Sequence, residues 1–254
     1  MSEQLEPRLE PRLEPLLVRA ELAAGIAHAA PWGVALDGLL AAEVWSRLKP
    51  SQPPGRSALD ADDPPDLDLP LARCRPAAGP WHWAATCAYP DPVPERLDVH
   101  TWTGRVDHRH LELVAASMPA VVSSRQGRYR SRLMPLLVLP CRAVTWHAIG
   151  DAEALRELLS GIVAIGKKRS QGEGQVLSWT VDPAPGLTSF AAAHLNPDET
   201  LSRPCPAACL DGTSTPDGGA GRAGIRPPYM HRSRQHLLRL PAPLATDRDG
   251  HDVE

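Results

Sequence analysis

The chain has 254 residues, of which 43% are hydrophobic, so it is long and apolar enough to bury a sizeable core. Its formal net charge of −3 excludes an argument for nucleic-acid binding from overall charge, and only local basic patches can carry one. The apolar runs are all shorter than the roughly 18 residues of a transmembrane helix. Five scattered cysteines and an N-terminus without an apolar signal core predict a cytoplasmic protein.

The first predicted elements are a strand and a helix. Residues 5–15 repeat Leu-Glu-Pro-Arg, and we expect a disordered leader over 1–15 because proline interrupts both helices and central strands. A strand is predicted over 16–24, where apolar and polar residues alternate. Asp37 then stands where it can cap a helix with apolar residues at four-residue spacing, and Pro50 ends that helix.

Two proline-rich regions are predicted to be irregular. An insertion over 50–80 carries five aspartates that would repel phosphate, so we expect it to face away from RNA. Residues 183–254 form a proline- and arginine-rich C-terminal extension without a clear periodic element before Gln235. Residues 222–239 contain five arginines and no acidic residue, which predicts a second contact with RNA or a partner. The arginines are Arg222, Arg226, Arg232, Arg234 and Arg239.

The remaining elements complete an α+β pattern. In chain order they are strands over 81–89 and 97–106, a buried strand over 136–147, a helix from Asp151 to a stop at Gly166, and a closing strand over 175–181. Repeated passes of strand, helix and strands indicate a ferredoxin-like βαββαβ fold, in one or two units over 16–182.

A glycine-rich, basic segment over 161–176 is the main candidate for an RNA contact. Glycines let backbone N–H groups approach an anion, the basic triplet supplies charge, and the flanking elements hold the loop. The candidate residues are Gly166, Lys167, Lys168, Arg169, Ser170, Gln171 and Gly172. The alternative is an ordinary glycine stop followed by cations that complement the helix dipole. A P-loop does not fit, because these glycines follow the helix and do not precede it.

A second basic segment over 123–132 contains four arginines and no acid. In it, Tyr129 can stack on a base while the neighbouring guanidinium groups hold phosphates. The residues assigned to RNA here are Arg128, Tyr129, Arg130 and Arg132. The alternative is a solvated loop anchored by its tyrosine.

Histidine and cysteine patterns give weaker candidates. His28, after the first strand, is the best candidate for acid–base chemistry, which keeps open a metal-independent endoribonuclease that processes guide-RNA precursors. His108 and His110 share one face of a strand pattern but have no Cys or acid at a zinc spacing. Cys205 and Cys209 with His194 fall short of the four ligands of a structural zinc site. We therefore predict no catalytic residue, metal or cofactor.

Four stretches resemble the RAMP superfamily of CRISPR proteins, over roughly residues 16–182. They are Leu36-Asp37-Gly38-Leu39-Leu40, Gly127-Arg128-Tyr129-Arg130, Gly150-Asp151, and Ile165-Gly166-Lys167-Lys168-Arg169-Ser170-Gln171-Gly172-Glu173-Gly174-Gln175-Val176. More closely, the chain resembles the subunit of type IV effector complexes that caps the 5′ handle of the guide RNA.

The resemblance implies a fold, a role and partners. It implies a ferredoxin-like domain whose glycine-rich loop follows its last helix, and a non-catalytic subunit that binds guide RNA. It also implies a repeated backbone subunit, a large subunit and a DNA target as partners. One position departs from the family pattern: Glu173 stands where relatives often have an apolar or aromatic residue, and its charge would repel a nearby phosphate. A third interpretation is an assembly subunit whose basic residues serve only helix capping and docking.

Overall fold

The computed structural model describes residues 12–27, 30–49, 62–104, 108–113, 115–117, 125 and 130–244. Its strands are β1 (Glu14–Leu22), β2 (Arg73–Cys74), β3 (His82–Trp83), β4 (Tyr89–Asp91), β5 (Asp98–Gly104), β6 (Arg132–Val138), β7 (Ala143–Gly150), β8 (Val176–Pro183), β9 (Ala220–Gly224) and β10 (Gln235–Arg239). Its helices are α1 (Leu36–Leu48), α2 (His108–Leu113), α3 (Ala152–Ser160) and α4 (Ser189–His194). Antiparallel sheets with few helices agree with the predicted α+β class. No described helix has the length and apolar character that crossing a bilayer requires.

The largest sheet has four antiparallel strands in the order β4-β7-β1-β8. Strand β1 lies inside it and pairs with β7 on one side and β8 on the other. Its alternating sequence puts Leu16, Val18 and Ala20 on one buried face. Along the chain, the sheet and its helices follow as strand, helix, strand, strand, helix, strand: β1, α1, β4, β7, α3 and β8.

The main core forms where α1 and α3 meet this sheet. Leu36 and Leu40 from α1, and Leu155 and Leu159 from α3, are fully buried in one cluster with Trp146 of β7. Burying each leucine contributes about 1.5–3 kcal/mol. The Trp146 indole N–H donates to the Val34 carbonyl at 2.8 Å, so burial leaves this polar group satisfied.

Helix α3 begins as predicted but ends earlier. The Asp151 side chain accepts hydrogen bonds from the backbone N–H groups of Glu153 and Ala154, which confirms the predicted cap. The helix ends at Ser160 with Gly161 as its C-cap, so the predicted stop at Gly166 is wrong. The physical reason is that residues 163–165 pair with residues 174–176 through backbone hydrogen bonds.

Removing the Asp151 cap tests its contribution directly. Asp151→Ala is expected to lower the free energy of unfolding by about 1 kcal/mol, because two N–H groups of α3 lose their acceptor. Urea denaturation followed by circular dichroism measures the change. Asp182→Ala, an exposed position on β8, is the matched control and should change stability by less than about 0.5 kcal/mol. Equal losses in both variants would contradict the capping role.

Two predicted strands are divided in the structure. The buried strand predicted over 136–147 is wrong, since those residues belong to β6 and β7, which have different partners. Pro140 lies between them and offers no N–H for a ladder, so pairing changes at that point. The stretch 81–89 likewise contains β3 and the start of β4. The strand predicted over 97–106 is confirmed as β5, which pairs with β6 in a separate hairpin.

A buried ion pair connects α1 to the C-terminal extension. The expected capping role of Asp37 is wrong: Ala35 is the N-cap, and Asp37 is fully buried in the first turn. Its carboxylate accepts from the Tyr229 hydroxyl at 2.7 Å and lies 3.5 Å from the Arg203 guanidinium. Burial, with the Asp37 charge, raises the pKa of Tyr229 well above its ordinary value. Arg203 also donates to the backbone carbonyls of Trp83, Ala85 and Ile225.

The extension contains more regular structure than its sequence indicates. The periodic element that begins at Gln235 is the strand β10, and it pairs with β9, which the sequence does not reveal. Helix α4 packs against β7 of the largest sheet. The division into 16–182 and 183–254 stays a prediction.

Four of the five arginines of the extension that were predicted to contact RNA or a partner pair with aspartates. Arg226 and Arg234 pair with Asp66 at 2.8 and 3.0 Å, and Arg232 pairs with Asp62 at 2.6 Å. Arg239 makes two hydrogen bonds of 2.7 Å to Asp217. These contacts remove the basis for a second RNA contact at these four arginines. They also give a role to three aspartates of the acidic insertion, Asp62, Asp63 and Asp66, which serve as partners for the extension.

Candidate nucleic-acid interface

The glycine-rich loop over 166–174 joins α3 to β8 and depends on positive φ angles. Gly166, Gly172 and Gly174 have φ of 83°, 92° and 64°, where side chains are disfavoured. A Cβ on Gly174 would overlap the carbonyl oxygen of Ile165, and one on Gly166 would overlap that of Ala27. The backbone therefore approaches its neighbours more closely than other residues allow.

The base of the loop is fixed by backbone hydrogen bonds. Ile165 N–H donates to the Gly174 carbonyl at 2.8 Å and closes the loop. Lys167 N–H donates to the Ala27 carbonyl at 2.6 Å, and Gly174 N–H donates to the Gly25 carbonyl at 3.3 Å. These bonds attach both ends of the loop to the segment that follows β1. The residues between them project as one 3₁₀ turn, Arg169–Gln171.

The exposed side chains of the loop carry uncompensated positive charge. Lys167, Arg169, Ser170 and Gln171 are exposed. Among the residues that the structure describes, neither Lys167 nor Arg169 has an acidic partner. Lys168 differs, because it is half-buried and its Nζ lies 3.4 Å from the centroid of the Trp102 ring. This cation–π contact holds the loop against the β5–β6 hairpin.

The hairpin brings Arg132, the last residue of the second basic segment, to the same place. Trp102 pairs with Met134, and Gly104 pairs with Arg132, so these positions share one face of the hairpin. The Trp102 ring lies over Gly104, within 3.2 Å of its ideal Cβ. Arg132 therefore has its register position beside the ring that Lys168 contacts. Arg130 is exposed just before β6, whereas Arg128 and Tyr129 lie outside the described residues.

The side chain of Glu173 is held by the same hairpin. Its side chain is 14% exposed, and its Oε1 lies 2.8 Å from Nδ1 of His100 on β5. The carboxylate is thus held at the hairpin by a hydrogen bond from the imidazole. The carboxylate that was expected to repel phosphate therefore accepts a hydrogen bond from the hairpin and is little exposed.

Comparison with known families identifies the chain. Residues 14–241 match the family model described as CRISPR type IV associated protein Csf3. The chain belongs to this family. The match confirms the resemblance to type IV CRISPR proteins and extends past residue 182 to Arg203 and the β9–β10 hairpin. No curated protein matches the chain.

Two contacts of this Csf3-family loop were missed by sequence reasoning. The sequence assigns neither Trp102 nor His100 to the loop, but each side chain contacts one residue of it. The sequence does place Trp102 and His100 two residues apart on a predicted strand, which indicates that their side chains lie on the same face. Nothing in the sequence indicates which loop that face contacts.

The histidine and cysteine candidates of the Csf3-family chain have different outcomes. His28 and the side chains of His108 and His110 lie outside the described residues. Four other side chains, Cys74, His82, His194 and Cys209, have ligand atoms within 4.8 Å of one another. Burial, with the nearby Arg203 charge, lowers the pKa of His82 well below its ordinary value and keeps its imidazole neutral. Cys205, the other half of the weak cysteine pair, is not in this group.

Proposed function

We propose that this Csf3-family protein is a non-catalytic subunit of a type IV CRISPR effector complex that binds and caps the 5′ handle of the guide RNA. The observation that carries the proposal is the loop over 166–174, which is fixed at its base and presents Lys167 and Arg169, neither of which has an acidic partner in the part of the chain that the structure describes. Membership of the type IV family supports the assignment to such a complex.

The loop would hold the RNA by position and charge. Lys167 and Arg169 supply cations for phosphates, and Ser170 and Gln171 supply side-chain hydrogen bonds. Because the base of the loop is already ordered, little conformational freedom is lost when RNA binds. Arg132 and Arg130 extend the basic surface along the hairpin, and Arg128 and Tyr129 are proposed to assist. The subunit would fix where the guide begins, while base pairing elsewhere reads the sequence.

The sheet supports a ferredoxin-like fold of the RAMP type as the scaffold. Its chain order of strand, helix, strand, strand, helix, strand and its strand order β4-β7-β1-β8 support the proposed split βαβ arrangement. The candidate loop follows the second helix of this unit, as the RAMP resemblance implies. The partners in this proposal are the repeated backbone subunit, the large subunit and the DNA target.

A guide-RNA processing endonuclease is the second candidate. One observation favours it: Ala27, the sequence neighbour of His28, accepts a hydrogen bond from Lys167 N–H at the base of the loop. His28 follows this backbone contact in the sequence, and histidine is the side chain that most often transfers protons in RNA cleavage. The same experiment can distinguish this enzyme from a capping subunit.

Binding of labelled guide RNA by the purified chain tests the proposal. Lys167→Ala/Arg169→Ala should weaken binding roughly tenfold near 0.15 M salt, and reduce the slope of log K against log salt by about 1.4, because two phosphate contacts are lost. The matched control is Arg47→Ala/Arg232→Ala, which removes the same charge from arginines that already pair with acids. The control should bind RNA as the wild type does.

Three outcomes would contradict parts of the proposal. Unchanged affinity and salt slope in the double variant would exclude the loop as the RNA site and favour an assembly subunit. An RNA without its 5′ handle that binds as well as the intact guide would exclude capping. Cleavage of the RNA that disappears in His28→Ala would replace the capping subunit with the endonuclease.

A further inference from the structure

Four potential metal ligands converge from segments that are far apart in the sequence. Cys74 lies on β2 directly opposite His82 on β3, so both share one face of this short pair. His194 is the last residue of α4, and Cys209 ends the 3₁₀ turn Ala207–Cys209. We propose that these four side chains bind one structural zinc ion, which joins the proline-rich insertion to the C-terminal extension.

The distances fit a tetrahedral zinc site. Zn–S bonds of about 2.3 Å and Zn–N bonds of about 2.0 Å at tetrahedral angles separate sulfur and nitrogen by about 3.5 Å. Cys74 Sγ lies 3.6 Å from His194 Nε2, and Cys209 Sγ lies 3.5 Å from His82 Nε2. All four ligand atoms lie within 4.8 Å of one another. A zinc ion between them needs only small side-chain adjustments.

The second nitrogen of each histidine has the partner that a zinc ligand requires. His82 Nδ1 lies 2.8 Å from the Trp83 carbonyl, and His194 Nδ1 lies 3.0 Å from the Phe190 carbonyl. A carbonyl can only accept, so each Nδ1 carries the proton and each Nε2 has its lone pair free. Those lone pairs are directed at the two sulfur atoms. Backbone carbonyls commonly orient metal-binding histidines in this way.

The composition and burial of the cluster favour a structural zinc ion. Two thiolates and two imidazoles in a tetrahedron are a donor set that suits zinc. The protein supplies all four ligands, which is typical of structural sites, whereas catalytic sites keep one position open. His82 is fully buried and His194 is 4% exposed, so water has little access to the histidine side of the site.

The position of the cluster gives the ion a role in stability. Strands β2 and β3 have two residues each, and the segment around Cys209 has one 3₁₀ turn, so regular pairing contributes little there. A metal that joins such distant segments closes long loops and releases its binding free energy only in the folded chain. We expect the insertion and the extension to separate more easily without zinc.

Metal analysis of the full chain is the first test. We expect one zinc per chain in the wild type by mass spectrometry of dissolved metal, and loss of most of it in Cys74→Ser and in His194→Ala. Cys141→Ala is the matched control, because Cys141 is buried outside the cluster, and it should keep one zinc. Retention of a full zinc ion in both cluster variants would overturn the proposal.

Cobalt substitution and melting of the wild type keep the test independent of how the variants fold. Cobalt(II) should give the visible absorption of a tetrahedral site with thiolate ligands, and removing zinc with a chelator should lower Tm by roughly 10 °C. A wild-type chain that takes up neither zinc nor cobalt would overturn the proposal. A disulfide between Cys74 and Cys209, or bound iron, would also overturn it. None of these results depends on RNA binding.

Discussion

Arg203→Met is expected to lower the free energy of unfolding by about 3–5 kcal/mol, because it leaves the charge of Asp37 buried without its cationic partner. Arg203 and Asp37 are 1% and 0% exposed, so water cannot replace the lost contact. The backbone carbonyls of Trp83, Ala85 and Ile225 lose a donor in the same change. Urea denaturation followed by tryptophan fluorescence measures the effect.

Two further variants show whether the loss comes from the buried charge. Arg232→Met removes an arginine whose side chain is 78% exposed and paired with Asp62, and it should cost less than about 1 kcal/mol. Asp37→Asn combined with Arg203→Met should be less destabilising than the sum of the single changes, since no charge remains buried. Equal losses in Arg203→Met and Arg232→Met would show that the buried pair contributes nothing special.

Gly174→Ala is expected to destabilise the chain by about 3 kcal/mol and to weaken RNA binding. Its φ of 64° disfavours a side chain by about 1–2 kcal/mol, and overlap of the new Cβ with the Ile165 carbonyl oxygen adds a comparable cost. The overlap also disturbs the hydrogen bond between Ile165 and Gly174 that closes the loop. Denaturation curves and RNA titrations of the same variant test both effects.

Gly172→Ala is the matched control for that substitution. Its φ of 92° also disfavours a side chain, but nothing lies within 4 Å of its ideal Cβ. The control should cost only the conformational part, about 1–2 kcal/mol. If the two alanine variants are equally stable, close packing at the base of the loop is not what requires Gly174.

The elements that the sequence predicts best are those with a strong local pattern. Alternation identifies β1, and four-residue spacing identifies α1. The end of α3 could not be predicted from the sequence, because Ile162 and Ile165 continue the apolar spacing of the helix. The helix ends before them because residues 163–165 form backbone hydrogen bonds with residues 174–176. The boundary between β6 and β7 was hidden because both strands are apolar and differ mainly in their partners.

The candidate site was predictable where it is local and hidden where it is not. Lys167 and Arg169 stand in one short basic stretch, so charge and glycine spacing indicate them directly. The loop that carries them is held by Trp102, which contacts Lys168, and by His100, which contacts Glu173. Both contacts come from another part of the chain, and sequence spacing does not show them. The same applies to the arginines of the extension, whose acidic partners lie mostly in the insertion.

The place of β1 in the sheet has a consequence for biosynthesis. Both of its partners, β7 and β8, are made much later, so β1 cannot pair until Ala143 has left the ribosome. At about 5–20 residues per second, that delay is on the order of 10 s. During this time Leu16, Val18 and Ala20, which are fully buried in the folded chain, lack the completed core that covers them. The strand inside the finished sheet is therefore a place where the nascent chain is open to aggregation and to chaperone binding.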